Sequence, residues 1–167
     1  MANERAPGAL TGTGVQAVVG FLDGAGVAFE LIEHESTVSA SAEARVMDRS
    51  PREVAKTVVL HDDSVYVIAA VSAADRLDLH KLRELLGSSR RLRLASEAEI
   101  AQDFPSLEVG AVPPFGPMVP AAEVIDRALL EQRRIMCPAG DRRHSVLVDP
   151  HDVVRITAAT VADVSED

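Results

Sequence analysis

The sequence holds one cysteine, Cys137, no tryptophan, four phenylalanines and one tyrosine in 167 residues. A lone cysteine excludes an internal disulfide framework, so packing alone must hold the core, and a reducing cytoplasm is the expected setting. Aromatics at 3% argue against a sheet that stacks nucleic-acid bases. No apolar run reaches the roughly 18 residues of a membrane span, so no membrane partner is expected. The start, M-A-N-E-R-A-P-G-A-L, lacks the basic and apolar regions of an export signal. His34, His61, His80 and His151 show no H-x-x-x-H spacing, so neither a metal nor another cofactor is expected. Lys and Arg number 17 against 26 Asp and Glu, a formal net charge of −9. That excludes broad wrapping of nucleic acid but permits contact with one nucleic-acid end.

What is present suits a globular chain: 47% hydrophobic and 26% charged residues. The length fits one domain with a core that needs no staples. We expect a flexible, Gly/Thr-rich segment at 1–14, a domain at 15–163 and a tail at 164–167. Monomer and homodimer both remain open.

Val15, Val18, Val19 and Leu22 follow helical spacing, closed by Gly24 and Gly26. A strand is expected at 27–32 and an alanine-rich helix at 39–48. Ser50-Pro51-Arg52-Glu53 predicts a capping box with proline at the first helical position. Two β-branched runs, 56–61 and 65–71, flank Asp62-Asp63-Ser64 and predict a hairpin. Asp78 is placed to cap a helix through Leu79, Leu82, Leu85 and Leu86 that ends at Gly87. Leu92 and Leu94 suggest a short strand, and Ser96-Glu97-Ala98-Glu99 a second capping box. Strands are expected at 124–125, 134–137 and 145–148, a helical turn at 128–132, and a final one at 151–156 capped by Asp149-Pro150. A mostly polar tail follows. Strands and helices mix without βαβ alternation, which predicts a single α+β domain: a mixed, mostly antiparallel sheet or partial barrel flanked by helices.

Two features stand apart from this scaffold. Lys56 sits where a polar helix start meets an apolar run, either solvated at a strand edge or held at a partly buried site. Residues 107–117 carry three prolines and two glycines between apolar side chains. Such a segment is neither helix nor central strand, but a packed, rigid loop. By itself it reads as a buried chain reversal.

Taken together, A-K-T-V-V-L and, about 50 residues later, G-A-V-P-P-F-G resemble the YbaK/prolyl-tRNA-synthetase-associated family of aminoacyl-tRNA deacylases. The stretches 71–87 (V-S-A-A-D-R-L-D-L-H-K-L-R-E-L-L-G) and 139–157 (A-G-D-R-R-H-S-V-L-V-D-P-H-D-V-V-R-I-T) fit it too, so the likeness spans roughly 15–163. The resemblance implies hydrolysis of the ester joining a wrong amino acid to the 3′ end of a tRNA, with tRNAPro-type substrates foremost. A mischarged tRNA is the implied partner, with an aminoacyl-tRNA synthetase as a second one. Lys56 matches the family's key lysine and Gly110 the glycine whose backbone contacts the aminoacyl group. These two form the expected catalytic pair. Thr57, Ser72, Pro113, Phe115, Gly116 and His144 are the expected substrate-binding residues. No metal is implied, and a ribose hydroxyl of the tRNA is thought to help activate water. Backbone donors near Gly110 and Gly116, together with an ammonium, suit an oxyanion.

Plainer readings stand beside these. Thr57 is also an ordinary strand residue, Ser72 and Asp75 a turn, and His144 a surface histidine. Arg90, Arg91, Arg93, Arg133, Arg134, Arg142 and Arg143 form either a basic rim or a set of solvated side chains. Cys137 is more readily a buried thiol than a nucleophile. Cavity size is expected to depend on which of Val38, Met47, Val71, Phe115 and Met118 face inward. A non-catalytic module binding an aminoacyl or tRNA end is the alternative function.

Overall fold

The computed structural model describes residues 13–37, 39–87, 91–118 and 121–167. Val38 and Arg90 lie outside these residues, as does nearly all of the segment expected to be flexible. The first helix, α1 (Thr13–Gly24), buries Val15, Val18, Val19 and Leu22, the apolar stripe read from the sequence. It leads through Gly26, at φ +72°, into β1 (Phe29–Glu33). Helix α2 (Ala40–Val46) is capped by Ser39, whose hydroxyl accepts from Ala42 N at 3.0 Å. Ser50 opens only a 3-10 turn, Pro51–Glu53. Its hydroxyl accepts from Arg52 N, which replaces the expected capping box with a tighter turn.

The predicted hairpin forms from β2 (Ala55–His61) and β3 (Tyr66–Ser72), paired antiparallel with Lys56 opposite Val71. Asp78 caps α3 (Leu79–Leu86), and Gly87 ends it in the left-handed region at φ 60°. After β4 (Arg93–Leu94) comes α4 (Glu97–Asp103), where Ser96 and Glu99 close a full capping box. Strand β5 (Ala121–Asp126), a 3-10 turn at Arg127–Glu131, β6 (Ile135–Pro138), β7 (His144–Val148) and α5 (Pro150–Thr157) complete the expected elements. An unpredicted strand, β8 (Thr160–Ala162), follows.

Among the described residues the strands form two open sheets and no closed barrel. One is antiparallel, in the order β1-β7-β6. The other is mixed, in the order β4-β2-β3-β5-β8, with β3-β5 and β5-β8 parallel. A parallel bridge between Val54 and Met136 ties the two. The central strand β3 is buried at every position, so it is a continuous apolar run rather than an alternating one. The main core lies where α1 and α5 meet the sheets, with Leu22, Phe115, Leu129, Cys137 and Val146 in one cluster. Phe21 and Phe115 pack there with ring centroids 5.7 Å apart. Among the described residues no helix is long and apolar enough to cross a membrane.

Candidate active site

The Gly-Pro loop is fastened to the turn between β6 and β7. Glu108 N donates to Gly140 O at 2.8 Å and Gly140 N to Ala111 O at 3.0 Å. Arg142 adds a clamp: Nε and Nη2 both donate to Val109 O, at 3.1 and 2.8 Å. Its backbone N donates to the Glu108 carboxylate at 2.6 Å. This forked grip on one carbonyl holds the next residue, Gly110, at φ +91°, where a side chain is strained. A Cβ at Gly110 would also stand 3.2 Å from the Arg142 guanidinium. The 140 turn is itself crowded, because a Cβ on Gly14 would fall 2.3 Å from Ser106 O and one on Gly140 2.8 Å from the Gly14 backbone. Three main-chain segments therefore meet at close range.

This anchoring brings the loop against β2. A cavity of about 210 Å³ is bordered by Thr37, Ser39, Ala40 and Glu43 on and before α2, and by Ala55, Lys56 and Thr57 on β2. Gly110 and Ala111 of the loop and Pro138, Asp141 and Arg142 complete it. It lies below the roughly 300–1,000 Å³ of pockets that enclose drug-sized ligands. Ala40, Ala55 and Ala111 supply its small side chains.

Lys56 is half-buried, and its ammonium is held below its ordinary pKa. Burial is the main cause, with Arg76 adding repulsion and Asp75 partly opposing it. Among the described residues no carboxylate comes within 4.0 Å of its nitrogen. Thr57 Oγ1 is buried without a hydrogen-bond partner among those residues, and Thr57 also borders a neighbouring hollow of about 260 Å³ along β2.

Lys56, Thr57 and Gly110 thus meet at one cavity. The other expected binding residues do not border it. Pro113 and Phe115 are buried, Phe115 at 0% exposure in the main core. Gly116 N is spent on Glu123 Oε1 at 2.5 Å, so this N–H is not free for an oxyanion. Ser72 is a turn holder: its hydroxyl donates to Pro51 O at 3.2 Å and accepts from Ala74 N at 2.9 Å. His144 turns Nδ1 to Asp141, at 2.9 and 3.1 Å from its two oxygens, beside the cavity rather than in its wall. Met47, Val71, Phe115 and Met118 do not line the cavity either.

Cys137 is fully buried, and burial pushes its thiol well above the ordinary value, the opposite of an activated nucleophile. Arg91 lies 3.7 Å from Asp63, Arg93 makes a forked pair with Glu99 at 2.9 Å, and Arg134 lies 3.8 Å from Glu30. These arginines sit in mixed charge, not a uniform basic rim. A wider, open groove of about 940 Å³ along β1 and the 131–134 segment contains neither Lys56 nor Gly110. Among the described residues no three His, Cys, Asp or Glu side chains converge on a metal-sized site.

Sequence reasoning overlooked the residues behind this cavity. Ser145 Oγ donates to Glu43 Oε2 at 2.8 Å and lies 2.9 Å from His34 Nε2. All three side chains are buried. They lie 102 and 111 residues apart in the chain, and no local spacing signals them. Arg142 was visible as a basic residue, but nothing local indicated its grip on Val109.

The α+β domain thus holds a small cavity at which a half-buried lysine meets a clamped glycine turn. Residues 34–156 match the aminoacyl-tRNA editing domain, and the chain belongs to that family, the YbaK family. A solved structure of a protein proposed as a trans-editing enzyme for prolyl tRNA synthetase shares 26% identity at a TM-score of 0.83, covering 95% of this chain and 100% of its own. The hypothetical protein APE2540 is 27% identical at a TM-score of 0.81, covering 90% and 99%. A protein proposed to act in signal transduction, from Marinobacter aquaeolei VT8, shares the fold at 20% identity and a TM-score of 0.67; 91% of this chain matches 31% of that one. No curated protein matches the sequence significantly.

Proposed function

We propose that the protein hydrolyses the ester of mischarged tRNA in trans, with tRNAPro-type substrates foremost, in a cytoplasmic setting and alongside an aminoacyl-tRNA synthetase. The carrying observation is that Lys56 and the Gly110 turn border one cavity although 54 positions separate them. Family membership and the likeness to a protein proposed as a prolyl trans-editing enzyme support the same reading.

An aminoacyl ester is already activated, so the protein's work is positioning and charge stabilisation. The acyl group enters the cavity and the terminal ribose stays at its mouth. Water attacks the carbonyl carbon, and the developing oxyanion is drawn to the Lys56 ammonium. The C–O bond to the ribose then breaks, and a proton ends on the ribose oxygen. A neighbouring ribose hydroxyl assists the water. Partial desolvation of Lys56 strengthens its attraction for negative charge. Thr57, through its unpartnered hydroxyl, is a further contact in this reading. Ser72, Pro113, Phe115, Gly116 and His144 stand outside the cavity wall and touch no acyl group in this reading.

The test is a panel of mischarged tRNAs, with Ala, Cys and Ser on tRNAPro first. Ester loss should be enzyme-dependent, and Lys56→Ala should slow it at least tenfold, because a charge-assisted contact contributes about 1.5–3 kcal/mol. Binding without release of free amino acid at any enzyme concentration would overturn catalysis. Equal rates for wild type and Lys56→Ala would overturn the role of Lys56.

A further inference from the structure

Two carboxylates border the cavity. Asp141 is occupied: it accepts from Arg143 N at 2.8 Å and faces His144 Nδ1. Glu43, on α2, is 7% exposed and is held from behind. Ser145 gives it a hydrogen bond, and His34 stands behind Ser145 with Nε2 also 3.9 Å from Glu43 Oε1. His34 Nδ1 lies 2.8 Å from Glu35 O; a carbonyl only accepts, so Nδ1 carries a hydrogen. That fixes the ring and presents Nε2 to Ser145. Ser145 is at 0% exposure, which excludes it as a nucleophile.

A buried carboxylate with such support is costly compared with an apolar side chain of similar size. Its position beside the ligand space offers a reason. Lys56 lies on another wall of the same cavity, and the two form no ion pair within 4.0 Å among the described residues. Asp141 and Arg142 are taken up elsewhere, so Lys56 and Glu43 are a cation and an anion on this cavity that are not paired with each other. An aminoacyl group has the complementary pair: a carbonyl oxygen that becomes negative, and an α-ammonium one carbon away.

We infer that Glu43 binds the α-ammonium of the aminoacyl group, with Ser145 and His34 as positioning residues that aim its carboxylate. The site then selects α-amino over α-hydroxy or N-acylated acyl groups. This rests on the deacylase reading for the identity of the ligand. Burial raises the Glu43 carboxyl above its ordinary value, against Ser145 and His34; an ammonium beside it favours the ionised form. The other charged groups around the cavity are Lys56, Asp141 and Arg142. The guanidinium of Arg142 is turned to Val109 O.

The test uses two non-hydrolysable adenosines that differ in one group: 3′-alanylamido-3′-deoxyadenosine and its lactylamido counterpart. Calorimetry on the wild-type protein should find the alanyl compound at least about tenfold tighter. In Glu43→Gln, which keeps an acceptor for Ser145, the two affinities should converge. Ser145→Ala should shrink the ratio too, and the wild-type ratio needs no variant. Equal affinities in wild type, binding of neither compound, or an unchanged ratio in Glu43→Gln would each overturn the assignment. Discrimination without hydrolysis of any mischarged tRNA would refute the deacylase reading and leave the ammonium site standing. Hydrolysis without discrimination would do the reverse.

Discussion

Replacing Glu123 by glutamine should stabilise the protein at alkaline pH and leave it nearly unchanged in mild acid. Glu123 lies on β5 under the Gly-Pro loop and is buried. Oε1 accepts from Gly116 N at 2.5 Å, and Oε2 has no hydrogen-bond partner among the described residues. Burial pushes its pKa from 4.5 up to about 8, against the single hydrogen bond from Gly116. The folded state therefore holds a proton that the unfolded chain releases. Stability from this group is full below pH 4.5 and is lost progressively as pH rises to about 8. At about 1.4 kcal/mol per pKa unit, the loss is on the order of 4–5 kcal/mol. Glutamine mimics the neutral acid: its carbonyl oxygen still accepts from Gly116 N. Urea denaturation of both proteins from pH 5 to pH 9 checks this. The difference between them should open from pH 5 to about pH 8 and level off above it, with the variant the more stable there. Parallel curves would show that Glu123 is ionised in the fold and refute the reasoning.

Other outcomes follow from the same geometry. Gly14→Ala places a methyl 2.3 Å from Ser106 O, a backbone atom with little room to yield. It should destabilise by at least about 1–3 kcal/mol in thermal melts, and a wild-type melting temperature would refute the close packing. Arg142→Met removes both donors to Val109 O. It should slow deacylation severalfold with a smaller effect on stability, seen as a fall in kcat/KM beside a near-normal melt. Cys137→Ser buries a hydroxyl at a site of 0% exposure. It should lower stability by about 1–3 kcal/mol while the rate on mischarged tRNA stays within about threefold. Abolished turnover in a folded serine variant would reinstate a thiol mechanism.

Local signals proved readable where the physics is local. Asp78 and Gly87 bracket α3, Ser96 and Glu99 close their box, and Asp62 to Ser64 turn the hairpin, because each is settled by neighbours in the chain. Lys56 and Gly110 came together only through family resemblance, since no propensity rule joins residues so far apart. Strand β8 was hidden in a polar tail because its order comes from parallel pairing with β5, not from its own composition. Gly116 was taken for a free donor, and the competing acceptor, Glu123, reaches it from another element. His34, Glu43 and Ser145 are each unremarkable in sequence, and only the folded α2 and β7 make them a chain.

The three alanines around the cavity bear on how its selectivity can change. Ala40, Ala55 and Ala111 have one methyl each to give up, so trimming side chains recovers little volume there. Each accepts a larger side chain only at the expense of the ligand. Substitution at these three positions can narrow the cavity readily, whereas widening it falls to the longer side chains around it, such as Thr37 and Thr57.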